Sequence, residues 1–187
     1  MFGWFKKQPK PAPMAENVAP KQQHEIDAAE LAQLLLNEYV CKIVVDAAKD
    51  RPLDAATTGR YEAKTRRYQL AAVLMALKGE ERQHPSFGPV REHIESTVFA
   101  SSPDGEASLR AEINQAEQSL NDDLLLPRGL GKETGIRWAH AWLDDIGVDE
   151  WKWNPATCAL IALNWTDYYI MVLDTLRAFK PVASSKQ

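Results

Sequence analysis

The sequence predicts an all-α protein, and three observations carry that prediction. Apolar residues recur at three- and four-residue spacing over most of the chain beyond residue 24. Proline and glycine break that pattern at helix-length intervals. Runs alternating apolar β-branched with polar residues, the mark of half-buried strands, are absent. About six helices are expected, in a single bundle or irregular helical array. A basic, aromatic tail and proline-rich linker (1–23) precede the helical domain (24–181), and a short disordered end (182–187) follows it.

The first helix is expected from Glu25 to Lys49. Leu36, Val40, Ile43, Val44 and Ala47 form its apolar stripe, and Arg51-Pro52 stops it because proline removes a donor and restricts its predecessor. The second starts at Asp54 or Thr58 and ends near Lys78, with Tyr61, Tyr68, Ala71, Leu74 and Met75 on one face and Gly79 as its left-handed cap. After a turn between Pro85 and Pro89, a short third helix carries Val90, Ile94 and Val98. Ser102-Pro103-Asp104 reads as cap, first-turn proline and dipole-matching acid for the fourth, whose apolar positions are Leu109, Ile113, Ala116 and Leu120. Beyond Pro127 and a glycine-containing loop at 128–135, the fifth helix covers Ile136 to Ile146 and ends at Gly147. The last begins at Asn154-Pro155, again cap then proline, and stops near Lys180-Pro181.

The segment CALIALNWTDYYIMVL, Cys158 to Leu173, is apolar nearly all round, so it is expected either at the centre of a core or across a membrane. Asp167 near its middle argues for the core, since a charge there costs about 2.5–3.5 kcal/mol on insertion scales. Enclosed in a core, Asp167 needs a partner or protonates. It is therefore a candidate functional acid, against the plainer reading of a structural polar contact or a position that water reaches.

The 187 residues carry a net charge of −4 that is unevenly placed. Residues 1–22 hold Lys6, Lys7, Lys10 and Lys21 against Glu16, a balance of +3, which leaves −7 on the remainder. An acidic body is not expected to bind nucleic acid, which needs a basic face to release counterions. The two cysteines, Cys41 and Cys158, lie far apart among apolar residues, outside any paired-ligand spacing, and read as reduced, buried thiols in a cytoplasmic protein.

Templates for metal and nucleotide sites fail on inspection. Glu81-Arg82-Gln83-His84 offers Glu-x-x-His once, where a dinuclear carboxylate bundle needs it twice. Arg128-Gly129-Leu130-Gly131-Lys132-Glu133 lacks the first glycine, the Ser or Thr and the preceding strand of a phosphate loop. Neither a metal nor a cofactor is expected. Arg137, His140 and Asp144 share one helical stripe; as chemistry they supply a base and its orienting carboxylate, and as structure a surface ion pair. Arg60, Lys64 and Arg67 also share a stripe, which fits either an anion or a solvated face paired with nearby Glu. Five of the six tryptophans fall between 138 and 169. They imply a heavy core where the last two helices meet, with Trp151 and Trp153 set apart in a loop as an interaction patch.

The opening MFGWFKK places Phe2, Trp4 and Phe5 beside Lys6 and Lys7. Tryptophan favours the membrane–water interface and lysine the anionic head groups, so the segment reads as a docking element for an anionic surface or for a groove on a partner. No signal peptide is read here, because the lysines interrupt the apolar run. The expected function is a non-enzymatic, cytoplasmic, bacterial interaction module. It would recruit, inhibit or scaffold a protein at or near the inner membrane, and the reading leaves a homo-oligomer open. The alternative is a small helical enzyme acting on a phosphate-bearing or lipid-like substrate, its site lined by Arg137, His140, Asp144 and Asp167.

Overall fold

The computed structural model describes residues 23–45, 53–100, 105–124 and 136–182. The opening aromatics and lysines, the proline linker, Arg51-Pro52, Ser102-Pro103-Asp104, the loop 128–135 and the C-terminal end 183–187 lie outside the described residues.

The architecture is all-α. In order the elements are a strand β1 (His24–Asp27), α1 (Ala28–Leu35) continued by a π-helical turn (Leu36–Cys41), α2 (Ala55–Glu81), a 3₁₀ turn (Pro85–Phe87), α3 (Gly88–Ala100), α4 (Glu106–Leu124), α5 (Ile136–Ile146), a one-turn α6 (Asp149–Lys152), α7 (Pro155–Ala178) and a strand β2 (Phe179–Val182). Local chemistry sets several starts. Asp27 accepts from the backbone N–H of Ala29 and Glu30, Asp54 from Thr57, and Asn154 from Ala156 and Thr157 with Pro155 at the first position. Gly147, at φ +73°, closes α5 in the left-handed region, and its N–H bonds the Leu143 carbonyl.

The most enclosed helix is α2. From Tyr68 to Leu77 every side chain but Met75 is buried, and α2 packs against α3, α4, α5, α7 and the π-helical turn. The reason lies in the run QLAAVLMAL, apolar on all sides apart from Gln69. α2 also runs past its expected end, with Gly79 inside the helix. Glu80 and Glu81 hold the extra turn through ion pairs to Arg177 and Arg91.

α7 is apolar, as expected, but only one side of it joins the core: Cys158, Ile161, Ala162, Trp165, Tyr168, Val172 and Leu176 are buried, while Leu160 and Leu163 face outward. By length and composition α7 also suffices to cross a bilayer, a test that core helices pass too.

The first helix ends earlier than expected. Past Cys41 the chain turns extended at Lys42. The cause is tertiary: Gln69 Nε2 donates to the carbonyls of Tyr39 and Lys42, and Tyr168 Oη also donates to Tyr39. With those acceptors taken, the helix does not continue. Cys41 is accordingly exposed rather than buried, while Cys158 is buried and its thiol is pushed up by desolvation.

The two strands correct the expectation that there would be none. β1 pairs with β2 in parallel, His24 opposite Phe179 and Asp27 opposite Val182. Pro181 sits in β2, tolerated because a two-stranded ribbon leaves each strand an open edge. Lys180 and Glu25 pair across it at 2.9 Å.

Candidate interaction surface

α5 brings Ala139, Trp142, Leu143 and Ile146 to one side at helical spacing, and all are fully buried. That side meets Trp165 of α7. The Trp138 and Trp165 rings lie 4.6 Å apart, Trp142 and Trp165 5.7 Å, and Tyr61 stands edge-on to Trp142 at 5.6 Å. Trp142 Nε1 donates to the buried Thr65 Oγ1 at 3.2 Å. Trp165 Nε1 is buried with no acceptor among the described residues. Tyr68 joins this cluster, and desolvation together with the carboxylate of Asp145 pushes its hydroxyl pKa upward. The aromatics expected at the junction of the last two helices are therefore core.

Trp151 belongs to that core, only 5% exposed, so the expected Trp151–Trp153 patch is not a pair. The one-turn α6 was not anticipated, and it rotates Trp151 inward while Trp153 stays 75% exposed. Lys152 sits 5.5 Å from the Trp153 ring centroid and bonds Asp144 at 2.5 Å.

The polar residues named for the enzymatic alternative do not converge. Asp144 pairs with Lys152. Arg137 is exposed and His140 half-buried on α5. Asp167, two residues beyond Trp165, lies about 200° round α7 from the side that meets α5. It is exposed, in a position that water reaches, as the plainer of its two readings has it.

The basic stripe on α2 is likewise not an open anion site. Glu112 of α4 accepts from both Lys64 and Arg67, and burial notwithstanding, these two cations hold its carboxyl below the ordinary range. Arg60 donates to Thr57 Oγ1. The acid that closes this stripe comes from another helix, 45 residues from Arg67 along the chain.

What remains outside the core is a face of α7. Leu160 (49% exposed), Leu163 (56%) and Met171 (38%) follow each other at helical spacing with Asp167 and Asp174, both exposed. The stripe from 160 to 174 is about 21 Å long. Val44, 38% exposed, flanks it, and a shallow depression of about 380 Å³ lies between Val44, Val45, Asn164, Asp167, Tyr168 and Met171. Neither Asp167 nor Asp174 pairs with a cation among the described residues. Sequence reasoning missed this face because the segment is apolar all round. The signal it did carry was Asp167 itself, which marks the side that water reaches.

Fold and surface together define an all-helical protein with an apolar, acid-flanked helix face outside its core. No protein-family model matches the chain, and no curated protein or solved structure matches it either.

Proposed function

We propose that the chain is a non-enzymatic helical interaction module that recruits, inhibits or scaffolds another protein. It works at the cytoplasmic face of a bacterial inner membrane, with Phe2, Trp4, Phe5, Lys6 and Lys7 docking it to the anionic surface. The observation that carries this reading is the exposed α7 stripe of Leu160, Leu163 and Met171, with the carboxylates of Asp167 and Asp174 interspersed at its C-terminal end. Exposed large apolar side chains grouped on one face mark interaction sites more often than chance placement. This one suits a partner segment that is both apolar and basic. The pairing of Lys64 and Arg67 with Glu112 supports giving the membrane role to the tail, because it removes the body's own candidate for anion contact.

The test is co-sedimentation with vesicles of phosphatidylglycerol and phosphatidylcholine, against phosphatidylcholine alone. The full chain binds the anionic vesicles. Lys6→Gln/Lys7→Gln loses about 2 kcal/mol, roughly thirty-fold in affinity, at about 1 kcal/mol per lysine. Phe2→Ala/Trp4→Ala/Phe5→Ala abolishes binding. Equal partition of all three chains onto both vesicle types would refute the membrane part of the proposal.

A further inference from the structure

The α7 stripe and the N-terminal segment are complementary to each other. We infer that, away from a membrane, the segment 1–22 occupies the α7 face of its own chain, so that each masks the other. This rests on the reading of tail and face given above and adds how they are regulated.

Three observations carry it. The first is where the segment joins the body. Gln23 Nε2 donates to the Arg177 carbonyl in the last turn of α7, and His24 pairs with Phe179 in a parallel ribbon. The segment therefore joins the body beside the last turn of α7. The second is reach. Leu163 lies about 21 Å back from Arg177 along the helix. Phe5 is 18 residues before Gln23, about 56 Å of extended proline-rich chain, so the contact needs no stretching.

The third is the order of chemistries. Going back from Gln23, the segment presents Lys21 and a single acid, Glu16, then Lys10, Lys7 and Lys6, then Phe5, Trp4 and Phe2. Going back along α7 from Arg177, the exposed stripe presents Asp174, Met171 and Asp167, then Leu163 and Leu160. With the surplus length between Lys10 and Gln23 taken up in a loop, lysines meet carboxylates and aromatics meet leucines. Met171 and Val44 complete the apolar floor. Docked in this way, Phe2, Trp4 and Phe5 are withheld from a bilayer and Leu160 and Leu163 from a partner. An anionic surface that captures Lys6 and Lys7 opens both at once.

The experiment places the photo-crosslinking residue p-benzoylphenylalanine at Trp4 in the full chain. The chain is irradiated at low concentration, mixed with an equal amount of isotope-labelled chain, and cross-linked peptides are mapped by mass spectrometry. The expected result is a crosslink within one chain to residues 160–171. It falls about tenfold in Leu160→Asp/Leu163→Asp, two half-exposed positions whose loss of apolar contact is converted at 1.4 kcal/mol per decade. It falls also in Lys6→Glu/Lys7→Glu, and when phosphatidylglycerol vesicles are added. Circular dichroism confirms that both variants keep the helical fold. Crosslinks elsewhere on the body, a yield unchanged by Leu160→Asp/Leu163→Asp, or crosslinks only between labelled and unlabelled chains would each overturn the inference. Vesicle binding with no crosslink to α7 sinks this inference and leaves the proposed function standing. An α7 crosslink in a chain that binds no vesicle keeps the intramolecular contact and sinks the membrane role.

Discussion

Replacing Gln69 with leucine tests the claim that one buried amide ends the first helix and fastens it to α2. Gln69 is fully buried and uses both ends of its side chain. Its Nε2 donates to the Tyr39 carbonyl at 2.5 Å and to Lys42 at 2.8 Å, and its Oε1 accepts from Val44 at 3.1 Å and Val45 at 3.5 Å. Gln69→Leu keeps the volume, so no cavity forms, and the cost falls on the groups left behind. The Tyr39 carbonyl retains the Tyr168 hydroxyl at 2.7 Å. Lys42 and Val44 are exposed enough for water to replace part of what they lose. Val45 is 2% exposed, and its N–H bears the full penalty. With about 1–3 kcal/mol for an orphaned buried group and less for the two wet ones, the expected loss is about 3 kcal/mol. For a chain of this size that lowers Tm by about 6–12 °C in calorimetry or thermal circular dichroism. Gln69→Glu adds a second readout. Its carboxylate would face the Tyr39 and Lys42 carbonyls, which raises its folded pKa above the unfolded value near ~4.3. A raised folded pKa means stability that is complete below the unfolded value and lost as pH rises. Gln69→Glu should therefore lie closer to the parent at acid pH than at pH ~7, whereas the deficit of Gln69→Leu stays level. A loss below about 1 kcal/mol for Gln69→Leu, or a pH-independent deficit for Gln69→Glu, would refute the reasoning.

Trp142→Phe should cost about 1–2 kcal/mol more than Trp165→Phe in urea unfolding. The first orphans the buried Thr65 hydroxyl, while the second removes an indole N–H that has no acceptor among the described residues; the reverse order would contradict the assigned bonds. Gly147→Ala should lose about 1 kcal/mol through its φ of +73° alone, since the added Cβ meets only Arg60 Nη2 at an ordinary 3.8 Å; a neutral result would mean that the turn relaxes. Glu112→Gln removes a carboxylate whose folded pKa is depressed, so the parent's advantage is present above about 4.3 and fades as pH falls through the folded value. With these side chains a quarter to a third exposed, that advantage is about 1 kcal/mol or less, and stability curves of parent and variant should merge in acid.

Most helix ends were legible because they are decided within a few residues. Asp54, Asn154-Pro155 and Gly147 act through hydrogen bonds and dihedral limits that need no distant partner, and Ile136 to Ile146 followed from spacing alone. The candidate surface was less legible. Asp167 drew notice as a charge in an apolar run, yet composition could not say which side of that run faces out. Glu112 could not be assigned to Lys64 and Arg67 before α4 was laid on α2.

By itself, then, the sequence determined the all-α class, the local caps, and an apolar C-terminal helix, since periodicity and capping are short-range properties of the chain. Only the tertiary structure decided that α2 is the enclosed helix and that α7 turns Leu160 and Leu163 outward. It also decided that residues 24–27 pair with 179–182 across almost the whole chain. Each of these depends on which elements come together, and the free energy that selects among such pairings resides in contacts between residues far apart in sequence.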